Sequence, residues 1–234
     1  MRDPETGEMT GIFVEALERA AENLELRVEW TEEVGWGAQI EGLEAGRYDI
    51  VGSPVWTNPT RGKLSTMSRP IYYSGIGVYV RGNDGRFRSA TNGDWSQLNN
   101  AQVRIATVDG ETGDLIARTQ FPLARRVSLP QTTDISQLFL QVANNHADVL
   151  FAEPYYARAY AQNNQRALSN LTEARPIRVL GNAYMFRRNE FQMKHMIDTA
   201  MEDLINSGYI EKLLARYEGG DTFYRVALPY QPAE

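Results

Sequence analysis

Gly75-Ile76-Gly77-Val78-Tyr79-Val80-Arg81 is an apolar run of the length that one buried strand requires. The polar stretch 82–100 follows it, and there Asn83-Asp84-Gly85 and Asn92-Gly93 carry turn chemistry. The run therefore closes one folding unit, with a boundary between residues 81 and 82. Working back from it, strand and helix signals alternate. Ile12, Ala16, Leu17, Ala20 and Leu24 fall at helical spacing, with Thr10 or Gly11 as the cap. Leu26, Val28 and Trp30 then alternate with Arg27 and Glu29, which is the period of a strand. A second helix is expected from Trp36 to Ala45, stopped by Gly46. Tyr48 to Val51 reads as a buried strand that enters a loop containing Ser53-Pro54 and Asn58-Pro59. Strands and helices joined in this order by short links belong to a parallel sheet covered by helices.

A second α/β unit opens at Val103-Arg104-Ile105-Ala106. It continues through a helix over 112–119, another over 134–143 and the strand Val149-Leu150-Phe151-Ala152. An extended stretch over 177–187 ends in Ala183-Tyr184-Met185-Phe186 and returns the chain to the first unit. The closing helices carry Met193, Met196, Ile197, Ala200, Met201 and Leu204, then Ile210, Leu213, Leu214 and Tyr217 after Ser207-Gly208. Those methionines read as core filler. The fold class is α/β. Lobe 1 is expected over residues 1–81 and 183–234 and the inserted lobe 2 over 82–182, joined by two crossing strands.

Composition removes several chemistries. The 234 residues are 42% hydrophobic and 10% aromatic, which is globular. Twenty-four Lys and Arg against thirty Asp and Glu leave a formal charge of −6, opposite to what nucleic acid would select. The basic residues come as doublets, Arg125-Arg126 and Arg187-Arg188, rather than as a stripe. No apolar run reaches the roughly 20 residues of a membrane span, and no signal-peptide pattern opens the sequence. Cysteine is absent and only His146 and His195 are present, so neither a thiolate nor a His-based metal site is expected. No cofactor is implied.

The ordered motifs resemble those of the type 2 periplasmic solute-binding proteins, in the amino-acid-binding branch. Gly11-Ile12-Phe13-Val14-Glu15-Ala16-Leu17 is similar to that family's Gly-Phe-Asp-x-Asp-Leu head. Val28-Glu29-Trp30, Trp36 and Gly46-Arg47-Tyr48-Asp49 follow in order. Thr57 to Arg61 resembles its Thr-x-x-Arg loop, and Ser68-Arg69-Pro70-Ile71-Tyr72-Tyr73 resembles Phe-Ser-x-Pro-Tyr. Gly110-Glu111-Thr112 stands where the family has Gly-Thr-Thr or Gly-Ser-Thr, and Ala147-Asp148 through Glu153 resembles its strand ending in an acidic residue. The resemblance implies a two-lobed type II fold and capture of a small α-amino acid between the lobes. It also implies delivery to the membrane permease of an ABC importer by a periplasmic or extracellular monomer with no nucleic-acid partner and no enzymatic activity.

A zwitterionic ligand needs a fixed cation for its carboxylate and a fixed anion for its ammonium. Arg61 is the candidate carboxylate clamp, because a guanidinium offers a planar fork; the alternative is a surface ion pair. Glu153, at the carboxyl end of its strand, is the candidate ammonium acceptor where the family usually has Asp; the alternative is a solvated strand-end acid. Thr112, opening a helix, would donate to the ligand carboxylate. Glu111 departs from the family's small hydroxyl and must point away or meet a ligand cation. Trp36 is placed to pack on the ligand's stem or in the core. Trp56 replaces a small serine, leaving Ser53 and the Val55 backbone as partners, since Pro54 has no N–H.

The family's opening strand is not found upstream of the first helix. The tail Tyr224 to Glu234, joined to Met1-Arg2-Asp3-Pro4, reads like that opening, so a circular permutation is expected, with Tyr230 as a second aromatic wall. The rival is an ordinary chain cut upstream. Two other functions share the scaffold: a dehydratase acting on cyclic dienyl acids, with Glu153 or Glu111 as general acid, and the sensor module of a receptor. A regulator's effector domain would need a helix-turn-helix segment, which is not found.

Overall fold

The computed structural model describes residues 7–82, 84–87, 94–164, 168–172, 176–218 and 224–226, with the backbone alone at residue 36 and residues 224–226. The chain divides into two compact units, Met1–Ser74 with Leu180–Glu234, and Gly75–Val179.

In the first unit, α1 (Ile12–Asn23) buries the stripe Phe13, Ala16, Leu17 and Ala20 that its sequence period predicts. The stripe packs against α7 (Phe191–Asn206) and α8 (Tyr209–Glu218) through Ile197, Met201, Leu204, Ile210, Leu213 and Leu214. Gly11 is the cap of α1, without a side-chain bond. Its N–H donates instead to the Tyr217 hydroxyl, 3.0 Å away, at the far end of α8. A single 3₁₀ turn over Trp36–Ala38 leads into α2 (Gln39–Glu44). β1 (Ile50–Trp56), α3 (Pro59–Leu64) and β2 (Thr66–Met67) follow. β1 and β2 both pair antiparallel with β8 (Arg178–Phe186). Tyr184 lies at the centre of this core, its fully buried hydroxyl donating to the Phe13 carbonyl at 2.7 Å.

Two local readings are corrected. Ser53-Pro54 was expected in a loop but lies inside β1, where the register against β8 slips between Val51 and Val55. A proline has no N–H for a ladder, and an irregularity accommodates it. Leu26–Trp30 forms no strand. The alternation is present, since Val28 and Trp30 pack against the core while Arg27 and Glu29 are exposed. No described neighbour supplies a backbone ladder, however, and side-chain period alone does not make a strand.

Trp30 instead lies across β1. A Cβ on Gly52 would sit 2.4 Å from the Trp30 ring, whose Nε1 donates to Glu18 Oε1 at 2.9 Å. Gly52→Ala is therefore expected to cost about 1–3 kcal/mol by overpacking. It should appear as a lower urea midpoint with an unchanged slope.

The second unit takes the carboxyl-terminal part of β3 (Tyr72–Arg81) into its sheet. The order is β7-β3-β6-β4-β5, with β4 (Arg104–Val108), β5 (Arg125–Leu129), β6 (Val149–Ala152) and β7 (Leu168–Asn170). β6, β4 and β5 are parallel, and β3 runs antiparallel to β6 and β7. Helices α4 (Thr112–Gln120), α5 (Ile135–Ala143) and α6 (Pro154–Asn163) complete the unit. Leu138, Phe139 and Val142 of α5 pack with Tyr79, Leu150, Ala152 and Tyr160.

Asp148, just before β6, ties the unit together. Its carboxylate accepts from Arg104 N and Nε at 2.9 and 3.1 Å, from Arg86 at 2.7 Å and from Arg81 at 3.1 Å. Arg81 and Arg86 also hold Asp84, at 2.9 and 2.6 Å.

Of the tail, β9 (Tyr224–Val226) pairs antiparallel with Tyr72–Ser74 of β3. It thereby joins the sheet of the first unit, but residues 1–6 and 227–234, where the expected junction falls, are outside the described residues, and a circular permutation is not shown.

Candidate functional site

The first half of the candidate site follows from one strand ending and one short helix beginning. After β1, Thr57 N donates to the Gly181 carbonyl at 3.0 Å, which anchors the loop to β8. Asn58 then caps α3, its Oδ1 accepting from Arg61 N at 2.9 Å, and Pro59 fills the first helical position. Proline suits that position because its missing N–H would have no partner there. These devices fix the backbone from which Arg61 projects. The half-buried guanidinium turns back along the loop, and Nη1 donates to the Trp56 carbonyl at 3.2 Å. That bond fixes the direction of the guanidinium relative to the loop.

Ser53 is exposed, and its Oγ accepts from the buried Gln39 Nε2 at 3.5 Å. Val55 is buried beside Leu43, Val51 and Met185, with its backbone paired to Ala183. Trp56 is half-buried, level with Asn182. Arg61, Ser53, Val55 and Trp56 thus gather on one strand and the loop and helix after it. The Trp36 side chain and Tyr230 lie outside the described residues.

The candidate residues of the second unit sit at the carboxyl ends of β4 and β6. Their parallel register aligns Ile105 with Val149 and Ala106 with Leu150, which carries Asp109 level with Glu153. Open α/β sheets bind ligands at such ends. Beyond β4 the chain turns through Gly110, and Glu111 N donates to the Val108 carbonyl at 3.1 Å. Glu111 occupies the cap of α4 without a side-chain cap bond, and Thr112 is buried at the first position. A Cβ on Gly113 would lie 3.9 Å from the Phe151 carbonyl, so the first turn of α4 abuts the end of β6. Glu111, Thr112 and Glu153 are thereby brought to one edge.

That turn is braced by a group the sequence reading missed. Asp114, 1% exposed, accepts from Arg126 at 2.5 Å, from Arg118 and from Gly110 N at 3.4 Å. The spacing of Asp114 and Arg118 by four residues was the available signal.

Glu153 is 8% exposed and caps α6, with Pro154 at the first helical position. Its charge is felt by two phenols. Burial, and after it the Glu153 carboxylate, push Tyr156 up to about 12 and raise Tyr79 as well. Among the described residues no group of three or more His, Cys, Asp or Glu could hold a metal ion. No described helix is long and apolar enough to cross a membrane.

Two α/β units, the second formed by a continuous insertion into the first, define the class of two-lobed type II binding proteins, and solved structures carry the same fold. One is an ancestral amino-acid-binding protein, a precursor of cyclohexadienyl dehydratase. It is 20% identical with a TM-score of 0.72, over 92% of this chain and 88% of that one. Another is the substrate-binding protein of an amino acid ABC transporter, 21% identical with a TM-score of 0.72, over 93% of this chain and 92% of that one. The chain belongs to family 3 of the bacterial extracellular solute-binding proteins, which it matches over residues 1–220. A Haemophilus influenzae relative bearing the name "Probable amino-acid ABC transporter-binding protein" is 33% identical over 84 residues, 36% of this chain and 32% of that protein. The match thus spans about a third of the relative's length. The α/β, two-lobed fold and the family expected from the motifs are those found.

Proposed function

We propose that this protein captures a free α-amino acid, without transforming it, and delivers it to the permease of an ABC-type importer. Arg61 takes the ligand carboxylate, with Thr112 as a further donor, and Glu153 takes the ammonium. Trp36, Trp56, Ser53, the Val55 backbone and Glu111 surround the remainder of the ligand. The protein acts as a monomer outside the cytoplasm, and nucleic acid is not a partner.

The observation that carries this reading is the placement of Glu153, a buried carboxylate at the carboxyl end of a parallel strand. Ligands of open α/β sheets bind at such strand ends, where an acid can meet a ligand cation. The family membership, the relative's name and the oriented guanidinium of Arg61 support the same reading.

A thermal-shift screen against the free amino acids tests it. A ligand at one hundred times its dissociation constant should add about 2.7 kcal/mol of stability and raise Tm accordingly. A screen in which no amino acid moves Tm rejects the proposal. Turnover of prephenate or arogenate would replace it with the enzymatic reading.

A further inference from the structure

The pairing of β3 with β6 isolates one polar group that the proposed site has not used. Tyr79 is opposite Leu150, and Gly77, two residues before it on the same face, is opposite Ala152. Because residue 77 has no side chain, the Tyr79 ring lies down along the strand toward it. The ring carbon Cε2 and the hydroxyl would stand 2.7 and 2.9 Å from a Cβ at position 77. β3 is antiparallel to β6, so this direction leads to the carboxyl end of β6. The hydroxyl therefore stops level with Ala152, one residue short of Glu153.

The ring belongs to the core, 6.0 Å from the Phe139 ring, and Tyr79 is 4% exposed. Its hydroxyl makes no hydrogen bond with any described residue. Phenylalanine would fill the same space beside Phe139, so packing alone gives no account of the hydroxyl.

We propose that Tyr79 is a positioning residue for Glu153, its hydroxyl holding the carboxylate through a bridging water so that the other oxygen meets the ligand ammonium at a fixed point. A bridge of this kind is nearly as favourable as a direct bond. The inference rests on the reading of Glu153 as the ammonium acceptor. The other charged or titratable groups facing the pair are Arg158, Tyr155 and Tyr156 on α6 and Asp134 at the cap of α5. Asp109 and Glu111 follow β4 at the same edge.

The test is Tyr79→Phe, which removes one oxygen and keeps the ring. Donation to a carboxylate favours its charged form. Losing it should raise the midpoint of the Glu153 carboxyl titration, followed by NMR in the ligand-free protein, by up to about one pH unit. Amino-acid affinity should fall about tenfold, while Tm stays close to the wild-type value. A Glu153 titration unchanged by Tyr79→Phe overturns the proposal, whether or not Tm falls, because the tyrosine is then only a core residue. Glu153→Gln separates the two readings. If that variant binds amino acid as tightly as wild type, Glu153 is not the ammonium acceptor, and the titration still decides whether Tyr79 holds it.

Discussion

Asp148→Ala is expected to destabilise the protein by about 3–5 kcal/mol, the cost of removing one member of a buried ion pair. The carboxylate is 2% exposed and the Arg81 side chain 18%. Arg86 and Arg104, at 49% and 30%, can recover water, whereas Arg81 keeps bonds to the Val142 and Ala147 carbonyls at 3.3 and 2.7 Å that hold it in place. Its charge would be left to Asp84 alone, a carboxylate that Arg86 shares. Asp148→Asn keeps the shape and should lose less.

The pH dependence follows from the same bonds. Burial pulls the Asp148 carboxyl upward, but hydrogen bonds from Arg104, Arg86 and Arg81 outweigh it and hold the group well below the usual carboxylate range. A folded-state value below the unfolded value of about 3.9 stabilises the protein fully above that pH. The stabilisation is lost as pH falls through the folded value. Urea titrations should therefore show the largest gap between wild type and Asp148→Asn at neutral pH, narrowing below about pH 4. A gap that is constant with pH would show that the carboxylate's charge contributes nothing.

Arg61→Ala is expected to weaken amino-acid binding by about 2–5 kcal/mol, the usual result of truncating one side of a desolvated charge pair. That range corresponds to a loss of roughly 30-fold to several thousand-fold in Kd. The fold should survive. Asn58 caps α3 through the Arg61 backbone N–H, which alanine retains, while the Nη1 bond to the Trp56 carbonyl is lost. Arg61→Lys keeps the charge without the planar fork and should fall between the two. Calorimetric titration of wild type and both variants, with Tm of the ligand-free proteins as the control, measures this. Equal affinity in wild type and Arg61→Ala would remove the carboxylate clamp from Arg61.

What could be read from the sequence was what depends on neighbours along the chain. The stripes of α1, α7 and α8 repeat at helical spacing, and Val149–Ala152 is buried throughout, so both kinds of element were legible. β5 was not. Its residues Arg125–Leu129 bury no side chain, because it pairs at the edge with β4 alone among the described strands. α3 also buries nothing, and its six residues read as loop.

The same distinction divides the site. Arg61 was singled out by a local motif whose cap, Asn58, lies three residues away. The partners of Asp148 lie 44 to 67 residues away, and no spacing rule connects them. Tyr79 looked like any strand aromatic. Its hydroxyl acquires a role only from the glycine at 77 and the register with β6, a contact across more than seventy residues.

The order in which the chain leaves the ribosome gives the two units different histories. Gly75–Val179 is continuous and can close as soon as it has emerged. The other unit cannot, because Phe13 and Leu17 on α1 wait for Ile197, Leu204 and Leu213, which emerge only after the inserted unit. Until α7 and α8 have emerged, the nascent polypeptide displays the apolar stripe of α1 without the partners that cover it. That helix is the segment on which a chaperone would have most reason to settle.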